Sequence, residues 1–271
     1  MTLILSTFRG AHKSPLSTFV RFSSSVTTDA RPIYVAATRQ HVGKTSVSLA
    51  IMSGLQKRFD RVGFIKPVGQ HCLPVWEEDL HQEIRADKDV VVMRQHFGLD
   101  HLPYRYMSPV LIPKGYTRDF IDGKISQDTH EELIRKAYTE ISRSSNVVLC
   151  EGTGHCAVGS IINASNALVA SWLGADMVLV ANGGLGSAFD ELELNRIFCE
   201  HYNVPIAGVI INKVHPEKYN QTKHSIGKAL EEHLGVSLLG CVPERPFLGC
   251  PALADLERLF GSKLISGHDQ C

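Results

Sequence analysis

From residue 32 onward, short apolar runs rich in β-branched residues alternate with stretches in which apolar side chains recur every three to four positions. The runs fall at 33–37, 62–66, 147–150, 177–181, 206–211 and 238–242. A strand that is apolar on both faces is buried on both, so the pattern predicts a central, mostly parallel sheet with helices on both faces, an α/β fold. Helical periodicity is found at about 44–56, 89–97, 129–142, 166–173, 188–201, 221–233 and 252–259. Asp128 followed by Glu131 supplies an N-cap signal for the third of these. Residues 73–117 are the least regular part and carry Pro74, Pro103, Pro109 and Pro113; substrate-facing loops are expected there. No internal repeat is visible, so a solenoid is excluded and residues 32–271 are read as a single domain.

Composition narrows the function classes. Lys plus Arg and Asp plus Glu are 28 each, giving no overall field toward nucleic acid or an anionic membrane, although a local basic patch is left open. No apolar run approaches the roughly 20 residues that span a bilayer. The 7 cysteines lack paired zinc spacing and are read as reduced structural thiols. His71, His96, His155 and His201 likewise show no metal-ligand spacing. Residues 1–31 hold Arg9, Lys13, Arg21 and Arg31 against the single acid Asp29, with abundant Ser and Thr. That is the composition of an organelle transit peptide, cleaved near 22–31, and it predicts mitochondrial import with plastid import as the alternative.

The first predicted strand runs into Thr38-Arg39-Gln40-His41-Val42-Gly43-Lys44-Thr45-Ser46, followed directly by a helical pattern. Strand, loop and helix in that order are the context of a phosphate-binding P-loop. Backbone N–H groups of the loop (Thr38, His41, Val42, Gly43) and of the helix start (Lys44, Thr45, Ser46) would form an anion cradle, Lys44 would reach the β and γ phosphates of ATP, and the Thr45 hydroxyl would bind Mg²⁺. Thr38 stands where the common pattern has its first glycine.

Other strand ends point to the same edge, where ligands of open parallel sheets bind. Lys66-Pro67-Val68 closes the second run, placing Lys66 toward Lys44 as a second catalytic cation. Glu151 follows the 147–150 run and suits a magnesium shell; Gly152 and Gly154 beside it would let backbone approach a phosphate. Asp89 is a candidate carboxylate ligand, with helix capping the alternative for it and for Asp87. Asn212, after the 206–211 run, can offer a donor and an acceptor to an adenine edge.

Taken together, these residues resemble the dethiobiotin synthetase family of P-loop proteins, which includes the N-terminal domain of some phosphate acetyltransferases and the cobyrinic acid a,c-diamide synthases. The resemblance runs over about 33–259. Thr38 to Thr45 is similar to the family's variant loop, Lys66-Pro67-Val68 to its Lys-Pro-Val, and Glu151-Gly152-Thr153-Gly154 to its Glu-Gly-Ala-Gly. The resemblance implies metal ligation by Thr45, Asp89 and Glu151, an adenine contact at Asn212, and assistance to phosphates and substrate by Lys66. It further implies transfer of the ATP γ-phosphoryl group to a carbamate or carboxylate of a small acid, in a homodimer. Arg39 and His41 stand where the family carries acids, and Gly183-Gly184-Leu185-Gly186 replaces its Gly-Cys-Ile-Asn-type segment. Two further readings are therefore kept: a nucleotide-sensing regulatory domain without turnover, and a partitioning-type ATPase in which Arg39 takes the place of an extra loop lysine. Lys66-Pro67-Val68 speaks against the latter.

Overall fold

The computed structural model describes residues 30–250 and 253–263 together with Ile265, so most of the segment read as a transit peptide lies outside the described residues. Ala30 is already buried and Arg31 opens the first strand, two residues ahead of the expected start. The order is β1 (Arg31–Ala37), α1 (Lys44–Gln56), β2 (Val62–Ile65), β3 (Val68–Gly69), β4 (Cys72–Glu77), β5 (Gln82–Asp87), α2 (Lys88–Phe97), α3 (Tyr104–Met107), β6 (Val110–Leu111) and α4 (Tyr116–Ile121). There follow α5 (Gln127–Ser142), β7 (Val147–His155), α6 (Asn166–Leu173), β8 (Asp176–Asn182), α7 (Gly186–His201), β9 (Ile206–Val214), α8 (Tyr219–Ala229), β10 (Leu238–Pro243) and α9 (Leu253–Phe260).

The predicted runs all become strands of one parallel sheet, ordered β10-β9-β8-β1-β7-β2. Its middle is apolar on both faces: Tyr34, Phe64, Ile65, Leu149, Met177 and Leu179 are all essentially solvent-free. The crossover from β1 to β2 runs one way along the sheet, while those ending in β7, β8, β9 and β10 run the other way. Because parallel crossovers are right-handed, α1 lies on one face and α5, α6, α7 and α8 lie on the opposite one. The α1 side of β9 and β10 is thus left for a cavity beside the phosphate loop.

Several boundaries differ from expectation. Strand β7 does not stop at Cys150 but continues through Glu151 to His155, and β9 continues through Asn212 to Val214. Both residues therefore sit in strand rather than in flexible loop. β2 stops at Ile65, because Lys66 turns its amide to the Met107 carbonyl (2.8 Å) ahead of Pro67, which has no amide to donate. Helix α5 starts at Gln127 with Ser126 at the N-cap position, so Asp128 is the second residue of the helix. Residues 73–117 hold more structure than loops: most of an antiparallel hairpin β4/β5, the short strand β6 that pairs in parallel with β3, helices α2 and α3, and the start of α4. Among the described residues no helix is long and apolar enough to cross a membrane.

Candidate active site

The phosphate loop bridges β1 and α1 at the carboxyl edge of the sheet. Gly43 has φ +84°, in the left-handed region, and a methyl group built on it would lie 2.4 Å from Asn212 Nδ2, so glycine is required there twice over. No side chain caps α1, which leaves its first amides facing the loop's concavity. Distant elements hold the loop. The Thr38 hydroxyl donates to Glu191 Oε2 of α7 (2.9 Å), and the Thr38 carbonyl accepts from Asn195 Nδ2 (3.1 Å). Asn212 Nδ2 donates to the Val42 carbonyl (2.8 Å), and Lys213 Nζ donates to the His41 carbonyl (2.7 Å).

Five charged side chains converge beyond the loop. Lys44 Nζ lies 2.6 Å from Glu151 Oε1, and the Thr45 hydroxyl donates to the same oxygen at 3.2 Å. Lys66 Nζ pairs with Asp89 Oδ2, lies 3.1 Å from Asp87 Oδ1 and is 4.0 Å from Glu151 Oε1. Burial pulls the Lys66 pKa down, but Glu151, Asp87 and Asp89 outweigh it and the net shift is upward. Burial raises the Asp89 carboxyl, yet Lys66, with help from Lys44 and Lys88, carries it below its ordinary range. Lys66 is therefore a fixed cation beside the loop.

The second oxygen of Glu151 is buried with no hydrogen-bond partner. An orphaned carboxylate oxygen next to a threonine hydroxyl and near a second carboxylate fits a divalent cation. Among the described residues no group of three or more His, Cys, Asp or Glu is arranged to hold a metal unaided. A magnesium site asks for only one or two carboxylates, phosphate and water completing the shell.

Asp87 plays the capping role foreseen for it, accepting from the Asp89 amide (3.0 Å) at the N-cap of α2. It does more than that. Its Oδ2 accepts the Gln70 and His71 amides (2.9 and 3.2 Å), so one buried carboxylate orients Lys66, the chain after β3 and the start of α2. Asp89 itself faces Lys66 rather than capping. Gly152 is glycine for packing: a methyl group there would lie 2.5 Å from Asn166 Oδ1 and 2.8 Å from the Tyr34 ring. Asn166 in turn accepts the Thr153 amide (3.0 Å) and the Tyr34 hydroxyl (3.0 Å), and donates to the Thr153 and His155 carbonyls. Gly154 has φ +67° beside Val158. This bracket fixes the strand that carries Glu151. Glu191, Asn195 and Asn166 had no local signal in the sequence; Lys213 could have been suspected from its place beside Asn212.

A cavity of about 680 Å³ opens beside the loop, between α1 and the β9–β10 edge. Ser46, Val47, Ile51, Asn212, Leu239 and Leu248 are among its walls, which are predominantly apolar. Its size and lining suit a nucleoside. Asn212 lines it while its amide nitrogen holds Val42.

A protein-family profile described as an AAA domain matches residues 31–252. A phosphate acetyltransferase of Nitratidesulfovibrio vulgaris is 24% identical over 248 residues, covering 87% of this chain and 32% of the relative. An ATP-dependent dethiobiotin synthetase BioD of Nitrosospira multiformis is 26% identical over 210 residues, covering 78% of this chain and 87% of the relative. The chain thus spans about a third of the length of the phosphate acetyltransferases it matches. A plasmid partition protein from Borrelia burgdorferi, solved with AMPPNP bound, superimposes with a TM-score of 0.50 at 15% identity, covering 81% of this chain and 89% of that one. At that identity the likeness is one of fold.

Proposed function

Since the chain belongs to the AAA-domain family matched over residues 31–252, a P-loop family, we propose that it is a MgATP-dependent enzyme of the dethiobiotin synthetase type, activating a carboxylate or carbamate of a small acid. The carrying observation is the meeting of Lys44 and Thr45 on one oxygen of Glu151 while the other oxygen is buried and unpartnered. Thr45, Glu151 and Asp89 would hold Mg²⁺, and the loop amides of Val42 to Ser46 the phosphates; bound MgATP supplies the phosphoryl group. Lys66, held by Asp87 and Asp89, would orient and neutralise charge on the transferred group and the acceptor oxygen. Lys44 would do so from the loop side. Asn212 and the apolar cavity would seat the base.

The test is phosphate release from MgATP with and without diaminopelargonate and bicarbonate, with Lys44→Ala as blank. Stimulation by the pair, absent from the blank, is expected. MgATP that fails to bind the wild-type chain would end the proposal.

A regulatory domain that binds ATP without turnover is the second reading. It is favoured by Arg39, which pairs with Glu191 at 3.4 Å on the loop side where the family carries an acid, and by the partial coverage of the phosphate acetyltransferases. ATP affinity without stimulation by any small acid would select it. We also propose mitochondrial import, with plastid import the alternative, directed by residues 1–31, and a homodimer; fluorescent-fusion imaging and sedimentation test these.

A further inference from the structure

Cys156 and Cys199 take no part in the phosphate site, yet their sulfurs lie 3.5 Å apart in the interior. Both are free thiols with no solvent exposure. Among the described residues they are the one pair of cysteine sulfurs within hydrogen-bond reach. Cys156 is the first residue past β7, the strand that carries Glu151, and Cys199 lies in the last turn of α7.

The pair is tied to the phosphate loop. The Cys156 amide donates to Asn195 Oδ1 (2.9 Å) and the Cys156 carbonyl accepts the Ala167 amide (3.1 Å), so its backbone is held on two sides. Asn195 stands one turn before Cys199 on α7 and donates to the Thr38 carbonyl; Glu191, a further turn back, accepts the Thr38 hydroxyl. Residues 191, 195 and 199 recur every four positions and share one face of the helix. That face meets the loop at one end and Cys156 at the other. The hydrogen bond to Cys199, and then burial, hold the Cys156 thiol well above its ordinary pKa. The same bond brings Cys199 below its ordinary value, against the opposing effect of burial. Cys199 is thus the thiol that ionises first, and it sits where helices fray, which gives a small oxidant a route to it.

We infer that Cys156 and Cys199 are a modification site for a small peroxide, which joins them in a disulfide that loosens the hold of α7 on the phosphate loop. The Cys199 thiolate attacks hydrogen peroxide: an S–O bond forms, the O–O bond breaks, and the leaving hydroxide takes up the thiol proton as water. The Cys156 sulfur then displaces the oxygen from Cys199: the S–S bond forms, the S–O bond breaks, and the oxygen leaves with the Cys156 proton as a second water. The two thiols together give up two electrons, and the peroxide is reduced to two waters. Bonding brings the sulfurs from 3.5 Å to about 2.05 Å. With Cys156 pinned, α7 supplies the movement, and in a close-packed interior that movement reaches Asn195 and Glu191. The effect on nucleotide rests on the reading of the loop as a phosphate site; the disulfide does not.

The experiment treats the full chain with hydrogen peroxide, quenches it by alkylation under denaturing conditions and maps joined peptides by mass spectrometry. MgADP is titrated calorimetrically before oxidation, after it, and after dithiothreitol. Cys156→Ala and Cys199→Ala are carried alongside, with thermal melting to check that each folds. The expected result is a peptide pair joined through 156 and 199 with loss of two hydrogens, and MgADP affinity weakened about threefold or more and restored by dithiothreitol, with neither change in the variants. No joined pair, or either cysteine joined to a different one, overturns the site. Unchanged affinity in the joined chain, or an equal peroxide-induced loss in the variants, overturns its effect on the loop. A reduced wild type that binds no MgADP would sink the nucleotide reading and leave the disulfide standing, whereas MgADP binding without the joined pair would sink this site alone.

Discussion

The side-chain amide of Asn212 donates to the carbonyl oxygen of Val42 at 2.8 Å, joining the end of β9 to the phosphate loop across 170 residues of sequence. Removing it leaves a buried carbonyl unsatisfied, which costs about 1–3 kcal/mol. Asn212→Ala is therefore expected to lower the melting temperature by several degrees and to weaken MgATP binding more than it weakens the fold. Equal MgATP affinity in wild type and variant, measured by calorimetry, would show that the loop keeps its shape alone.

Gly43 meets the same amide. Alanine there faces a backbone penalty of roughly 1–2 kcal/mol at positive φ, on top of the 2.4 Å approach to Asn212 Nδ2. Gly43→Ala should abolish nucleotide binding, and Gly43→Ala/Asn212→Ala should recover some stability but not affinity. A double variant no more stable than the single one would mean that the backbone, not the contact, dominates.

Glu151→Gln keeps the shape of the side chain and removes its charge. Affinity for ATP in EDTA is expected to change little, whereas the gain on adding Mg²⁺ should fall by about tenfold or more. An unchanged magnesium dependence would move the metal away from Glu151.

Asn166→Ala strips partners from the Thr153 amide and carbonyl, the His155 carbonyl and the Tyr34 hydroxyl. The expected drop in melting temperature is roughly 5–10 °C, with Tyr34→Phe costing less because the ring stays buried. A smaller loss for Asn166→Ala than for Tyr34→Phe would contradict its place as the centre of that bracket.

His130 gives the fold an acid limit. Its Nε2 lies 2.6 Å from the Tyr116 hydroxyl and its Nδ1 3.2 Å from the Ile162 carbonyl, and its ring stacks with those of Tyr116 and Phe120. Burial lowers its pKa below the ordinary 6.5, against the opposing Ile162 bond. A depressed histidine folds as the neutral form, so its contribution is present above 6.5 and is lost as pH falls below that value toward the folded-state pKa. Urea unfolding at about pH 7.5 and 5.5 should show a loss that His130→Gln reduces; an equal loss in the variant would assign it elsewhere.

The sheet was legible because strands buried on both faces must be apolar throughout, and the runs around Tyr34, Phe64, Leu149 and Met177 are. Lys44 and Thr45 were legible from the strand, loop and helix order after the first run, and Lys66 and Glu151 because each lies at or just past the end of a run, which a parallel sheet gathers at one edge. What escaped was tertiary. The hairpin β4/β5 alternates polar and apolar side chains too weakly, with Pro74 inside it, to stand out from loop. Glu191 and Asn195 read as ordinary helical residues; only the packing of α7 against β8 brings them to Thr38. Asp87 looked like a cap, which it is, but its contacts with Lys66, Gln70 and His71 depend on how the segment after β2 folds.

The supports of the phosphate loop also set an order of assembly during translation. Residues 38–43 leave the ribosome early, yet the groups that hold them sit at 191, 195, 212 and 213. A nascent chain stalled anywhere before β9 emerges carries the whole nucleotide-binding motif without the Asn212 and Lys213 bonds to Val42 and His41. The full shape of the phosphate loop is thus acquired late in synthesis, and a chain truncated ahead of Asn212 would carry the motif in its sequence without all of the loop's supports.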